Sequence, residues 1–274
     1  MKKTIALLAA AAAASTACSR PGSDERAFQW TSELPAGSVV HLRNGAGEIA
    51  VKRSHTQNAE VIGNREWHRG RSRDIQFVVT QNGNDYYICA MWRNSGNCGA
   101  NGYRGKNTGG FLAMFSLFHR NSDATADLIA ELPANVIVDA KNTHGDVTID
   151  GISGGVTART SNGDVKATNV GGKVSLATTN GDLELEAEPM APLSEVSLST
   201  TNGDIRAALP PSTEGLFDLV SSNGEVKSDF PLESTSKNRS NHLRGQIGAA
   251  ARPVKMRSTN GDVVVTRGGI VEHP

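Results

Sequence analysis

From Glu131 onward, apolar and polar residues alternate with period two on both sides of a recurring Asn-Gly-Asp or Asn-Gly-Glu. The copies are Asn162-Gly163-Asp164, Asn180-Gly181-Asp182, Asn202-Gly203-Asp204, Asn223-Gly224-Glu225 and Asn260-Gly261-Asp262. His144-Gly145-Asp146 is a sixth copy with His in place of Asn, and successive anchors stand 18, 18, 22, 21 and 37 residues apart. Six residues before the anchors are Val138, Val156, Val174, Val196, Phe217 and Val254. Four before them are Ala140, Ala158, Leu176, Leu198, Leu219 and Met256, and three after them Val147, Val165, Leu183, Ile205, Val226 and Val263. Interleaved positions such as Arg159, Ser175, Lys166, Glu184 and Arg206 are polar. The pattern predicts strand, turn, strand, with one face of each strand buried. Asn-Gly reads as a tight turn, because both residues accept positive φ at little cost. Two small hydroxyl residues precede most anchors: Thr160-Ser161, Thr178-Thr179, Thr200-Thr201, Ser221-Ser222 and Ser258-Thr259. In a stack of such units, Thr is expected to bond Thr and Asn to bond Asn.

A hairpin meander and a solenoid both accommodate this pattern. Units of 18–22 residues with like side chains at like places favour the solenoid, where equivalent positions stack. The expected fold is therefore all-β: a β-solenoid, read as a right-handed β-helix, of stacked strand–Asn-Gly-turn–strand repeats. A longer duplication lies upstream. Residues 33–51 repeat residues 131–149 at a constant offset of 98, from Glu33-Leu34-Pro35-Ala36 to Val51, with Ala46 in the anchor position. This stretch is expected to be a degenerate terminal coil that caps the sheet edge. Strand-like runs follow at Ala59–Gly63, Asp74–Thr80 and Asp85–Trp92, then a Gly- and Asn-rich loop at Arg93–Lys106 and the apolar Phe111–Phe118. Ser234–Arg252 is a second insertion, before the last anchor. The expected divisions are a signal peptide at 1–17, a lipidated N-terminus and linker at 18–32, an N-terminal β region at 33–130, repeats at 131–270 and a tail at 271–274.

Address is the next thing the sequence gives. Met1-Lys2-Lys3 followed by an apolar run from Ile5 to Ala14 has the form of an export signal, too short for a membrane span of about 20 residues. Ser15-Thr16-Ala17-Cys18 resembles the lipobox of bacterial lipoproteins, in which Cys18 is lipidated, although Ser15 stands where Leu or Val is usual. Ordinary cleavage after Ala17 is the alternative. Ser19 after the cysteine suits outer-membrane sorting, facing the periplasm or the surface. Cys89 and Cys98 remain as an even pair in an oxidising compartment, and a disulfide is expected; two free thiols or half a metal site are the other readings. Composition narrows the classes further. With Lys+Arg 28 against Asp+Glu 28 the formal net charge is zero, which argues against a nucleic-acid partner. Apolar residues are 38% and aromatics 5%, below the roughly 45–50% apolar of an average domain, so the core is thin.

The lipobox-like start, the repeated Thr-x-Asn-Gly-Asp-Val units and the Gly-rich segment before the last unit resemble the bacterial putative-adhesin family of unknown function. The matching stretches are Glu131–Glu188, Leu198–Lys227 and Leu243–Thr266, including Arg244-Gly245-Gln246-Ile247-Gly248; Tyr87-Ile88-Cys89-Ala90 looks like the strand before the repeats. The resemblance implies a cell-envelope β-solenoid with a binding role, and it names no ligand or catalytic residue.

Three features carry candidate chemistry. The carboxylates Asp146, Asp164, Asp182, Asp204, Glu225 and Asp262 would stack about 4.8 Å apart. They either repel and recruit Ca²⁺, or accept backbone N–H groups at their own turns and face solvent; the second is expected, with no metal and no cofactor. Arg65, Trp67, Arg69, Arg71 and Arg73 form the densest basic patch, a candidate contact for anionic envelope glycan or phospholipid. His144 reads as a turn variant. No catalytic motif stands out, so the expected function is a non-catalytic, envelope-anchored module for binding, adhesion or scaffolding. The partners would be the membrane, through the lipid, and an envelope glycan or another envelope protein. The alternative is a polysaccharide-processing β-helix enzyme.

Overall fold

The computed structural model describes residues 27–67, 75–92, 97–99, 124–234 and 241–268. The described strands are β1 (Ala27–Glu33), β2 (Val39–Arg43), β3 (Ile49–Ser54), β4 (Asn58–Trp67), β5 (Ile75–Asn82), β6 (Asp85–Trp92) and β7 (Ala124–Pro133). The repeats supply β8 (Ile137–Lys141), β9 (Val147–Asp150), β10 (Val156–Arg159), β11 (Val165–Val170), β12 (Gly172–Ala177), β13 (Leu183–Ala187), β14 (Leu193–Asn202) and β15 (Ile205–Leu209). Then come β16 (Gly215–Asn223), β17 (Val226–Ser228), β18 (Glu233–Ser234), β19 (His242–Ile247), β20 (Pro253–Asn260) and β21 (Val263–Arg267).

These strands form two sheets. One runs β1-β4-β7-β3-β9-β11-β13-β15-β21-β17 and the other β18-β19-β16-β20-β14-β12-β10-β8-β2-β6-β5. Each repeat puts the strand before its anchor in the second sheet and the strand after it in the first, and equivalent strands pair in parallel. The chain is a β-solenoid, and the Asn-Gly corner carries it from one sheet to the other. The solenoid is thus preferred to the hairpin meander as expected, but the expectation of positive φ at both turn residues is corrected. No Asn of these corners has positive φ; the glycine has it at four of the five Asn-Gly corners, Gly163 (141°), Gly181 (150°), Gly203 (148°) and Gly261 (141°).

The register is the one the repeat dictates. Val156 pairs with Val138 and Val174, and Val165 with Val147 and Leu183. All eighteen apolar anchor-flanking residues are buried and belong to one continuous core between the sheets. The 98-residue duplication is also a physical neighbourhood: Val39 pairs with Ile137, Arg43 with Lys141, and Ile49 with Val147.

Stacking order departs from chain order at both ends. The coil β2–β3 is not terminal, because β6 pairs in parallel with β2 on its far side and β7 with β3. Antiparallel β5, β4 and β1 then close that end. At the other end the last coil in sequence, β20–β21, lies between β14–β15 and β16–β17. Antiparallel β19, with β18, closes the second sheet outside β16. Residues 27–32, expected in the linker, belong to β1, and the expected boundary after Ala130 falls inside β7. Aliphatic side chains fill the middle coils, and aromatic pairs plug the ends: Phe28–Phe77 (5.1 Å) and Trp30–Tyr86 (5.8 Å) at one, Phe217–Phe230 (5.0 Å) at the other.

Candidate functional site

Each corner is a bundle of polar contacts between adjacent coils. Asn180 Nδ2 donates to Asn162 Oδ1 (2.8 Å), Asn202 to Asn180 (2.8 Å), Asn260 to Asn202 (2.7 Å) and Asn223 to Asn260 (2.9 Å). This is the expected Asn ladder. The hydroxyl ladder is corrected. Thr160, Thr178 and Thr200 donate not to one another but to the glycine carbonyl of the previous coil, at 3.0, 2.9 and 3.0 Å. Ser258 and Ser221 bond Gly203 and Gly261 in the same way (2.9 and 2.7 Å). A buried hydroxyl needs a partner, and the nearest unused acceptor is a carbonyl turned along the stack. That carbonyl also explains the glycine: a Cβ on Gly181 would lie 2.0 Å from Gly163 O, and one on Gly203 1.9 Å from Gly181 O.

The carboxylates are part of the same frame. Asp146 Oδ1 accepts the backbone N–H of Asp164 (2.9 Å), Asp164 that of Asp182 (2.8 Å), Asp182 that of Asp204 (2.7 Å), Asp204 that of Asp262 and Asp262 that of Glu225 (both 2.8 Å). The bond runs to the next coil rather than to the residue's own turn, which corrects the expectation. Asp127 begins the column by accepting Glu48 N (2.8 Å), a position the anchor motif does not reveal because Ala126 replaces the glycine. Ala46, His144 and Asn162 form successive bridges, so His144 occupies its predicted corner place.

A second constellation lies on the outer face of the second sheet. His41 stacks on Tyr87, with centroids 4.2 Å apart and planes 4° apart, and its Nδ1 lies 2.8 Å from Asp139 Oδ2. Arg43, only 2% exposed, donates to Asp139 Oδ2 and to the Asp139 carbonyl (2.5 Å). Burial pushes the Asp139 carboxyl up, but the His41 hydrogen bond and the Arg43 charge outweigh it and hold its pKa down at about 2. Asp139 Oδ1 and Arg43 Nε are buried without a hydrogen-bond partner. Lys141 and Arg159 continue the Arg43 column on the next two strands. Burial and the charges of Arg43 and Arg159 lower the Lys141 pKa, against the pull of Asp139. At the far end of the same face Asp218 gathers His242 (2.8 Å), Arg257 (2.8 Å) and Arg244 (3.4 Å). Neither cluster was among the expected sites. The signal was present, however, since the offset of 98 that aligns Val40 with Val138 also sets His41 beside Asp139 and Arg43 beside Lys141.

Of the expected basic patch, Arg65 lies over the Phe77 ring (4.9 Å to the centroid). Trp67 ends β4, while Arg69, Arg71 and Arg73 fall outside the described residues, as do Cys18 and Phe111–Phe118. Cys89 and Cys98 form the expected disulfide (Cα–Cα 5.8 Å), with Tyr87 and Met91 packed beside Cys89.

Among solved structures the chain is similar to a putative cell adhesion protein from Clostridium sporogenes, at 11% identity over 88% of this chain and all of that one, with a TM-score of 0.47. It is also similar to putative adhesins from Bacteroides fragilis (13% identity, 89% and 98% covered, TM-score 0.34) and Parabacteroides merdae (7%, 88% and 96%, 0.23). No curated protein matches the sequence. The family description Toastrack DUF4097 matches residues 127–266. That span opens at Asp127, the first carboxylate of the corner column, and closes in β21, so it takes in the corners from His144 to Asn260. The chain belongs to the Toastrack DUF4097 family.

Proposed function

We propose that the protein is a non-catalytic β-solenoid, anchored in the bacterial envelope through Cys18, that works as a binding, adhesion or scaffolding module. The observation that supports this most is how the corner carboxylates are used. Each of Asp146, Asp164, Asp182, Asp204 and Asp262 gives an oxygen to the backbone of the next coil, so the acidic groups are framework. A frame of this kind is rigid and presents flat, aligned columns of outward side chains at low entropic cost to a partner. The Cys89–Cys98 disulfide agrees with an exported, oxidising location, as does the export-like segment at 1–18. Sedimentation of the mature chain with isolated cell-wall sacculi and outer-membrane vesicles tests the reading. Recovery in the pellet is expected, and a chain left wholly in the supernatant in both mixtures contradicts it.

One observation favours the runner-up, a polysaccharide-processing enzyme. His41 and Asp139 have the geometry of an oriented acid–base pair. In that case His41→Ala would abolish shortening of an envelope polysaccharide; under the binding reading there is no shortening to abolish.

A further inference from the structure

The outer face of the second sheet carries a strip that the corner chemistry does not use. Asp139, Thr157, Ser175, Ser197 and Lys255 follow one another across β8, β10, β12, β14 and β20. Beside them run Lys141, Arg159, Ala177, Ser199 and Arg257. The middle of the strip is thus small and hydroxylated, and long cationic side chains rise at both ends. Among the described residues the side chains of Thr157, Ser175, Ser197 and Ser199 make no hydrogen bond, and the exposed Arg159 and Lys255 make no ion pair. Asp139 meets Arg43 and Lys141, with Arg159 beside Lys141, and Asp218 next to Lys255 is held by Arg244 and Arg257, so positive charge is in excess at both ends. The cationic ends lie three strand spacings apart, about 14 Å.

We propose that this strip binds an anionic polysaccharide whose acidic groups are separated by neutral sugars. The hydroxyl floor offers donors and acceptors to sugar hydroxyls, and Arg159 and Lys255 meet acidic groups at either end. A densely charged polyanion would leave its central charges over a neutral floor. The proposal rests on the binding-module reading and names its ligand class. Planar carboxylates suit the Arg159 fork, so the ligand is a glycan with spaced uronic acids.

The test is calorimetric titration of the full chain, in detergent micelles, with a hyaluronan hexasaccharide and its carboxyl-reduced, neutral counterpart. The hexasaccharide is expected to bind, with the reduced sugar and the Arg159→Ser/Lys255→Ser double variant each weakening binding about tenfold. Lys227→Ser, on the other sheet, should leave it unchanged. Equal binding of both sugars, equal binding by the double variant, or no binding of the hexasaccharide overturns the proposal. Pelleting with sacculi separates the two claims. A double variant that still pellets with unchanged affinity removes the strip and leaves the module; a native chain that pellets with neither sacculi nor vesicles removes both.

Discussion

At the scale of single residues the corner decides the fold. Gly181 is required twice over, by a positive φ and by the carbonyl of Gly163 behind it. Gly181→Ala should cost about 3 kcal/mol or more. Gly37 has positive φ (78°) but open space around its Cβ position, so Gly37→Ala should cost only about 1 kcal/mol. Urea unfolding of the two variants checks the contrast, and equal losses would show that stacking does not impose the glycine. Asp139 gives a second residue-scale expectation. Its depressed pKa means the ionised form is stabilised by folding, a contribution of about 2 kcal/mol that is complete above pH 4 and lost as the pH falls to about 2. In Asp139→Asn the urea midpoint should lose that part of its pH dependence. The six anchors and their eighteen apolar partners were readable from sequence because a period-two pattern fixes which side chains turn inward. The direction of the corner bonds was not. Thr and Asp look the same in sequence whether they bond their own turn or the next coil, and the choice depends on where the stacked carbonyls lie.

At the scale of elements, coil order was the feature the sequence concealed. Equivalent positions offer nearly the same ladder to any neighbour, so the repeat says that Asn202 stacks on another Asn without saying which. It meets Asn180 on one side and Asn260 on the other, and Asn223 lies beyond. The chain leaves a vacant place after β14–β15, builds β16–β17 and the β18–β19 cap, and fills the place last. A chain ending at Arg252 should therefore lose protection of β14–β17 while keeping β8–β13. Hydrogen exchange reads this directly, and full protection of β16 in the truncated chain would contradict the intercalated order. The same reasoning explains why residues 33–51 resemble a terminal repeat and are internal: β6 and β7 stack beyond them, and Ala126 stands where the motif has its glycine.

At the scale of the whole molecule, ends plugged by aromatic pairs and an uninterrupted aliphatic middle make a rod with two outer faces. The disulfide sits at one end, in β6, so reduction should loosen that end alone. A loss of about 2–3 kcal/mol there is expected, with exchange rising in β5 and β6 and unchanged from β10 to β21. The His41–Asp139–Arg43 and Asp218–His242–Arg257 clusters bracket one of those faces and leave a hydroxyl strip between them. Such a surface is suited to holding an extended partner along the rod. The most direct test is to incubate the protein with envelope polysaccharide and follow retention and polymer length in the same sample. Retention with the polymer at its original length is the predicted result; shortened fragments would contradict the non-catalytic account and turn attention to His41 and Asp139.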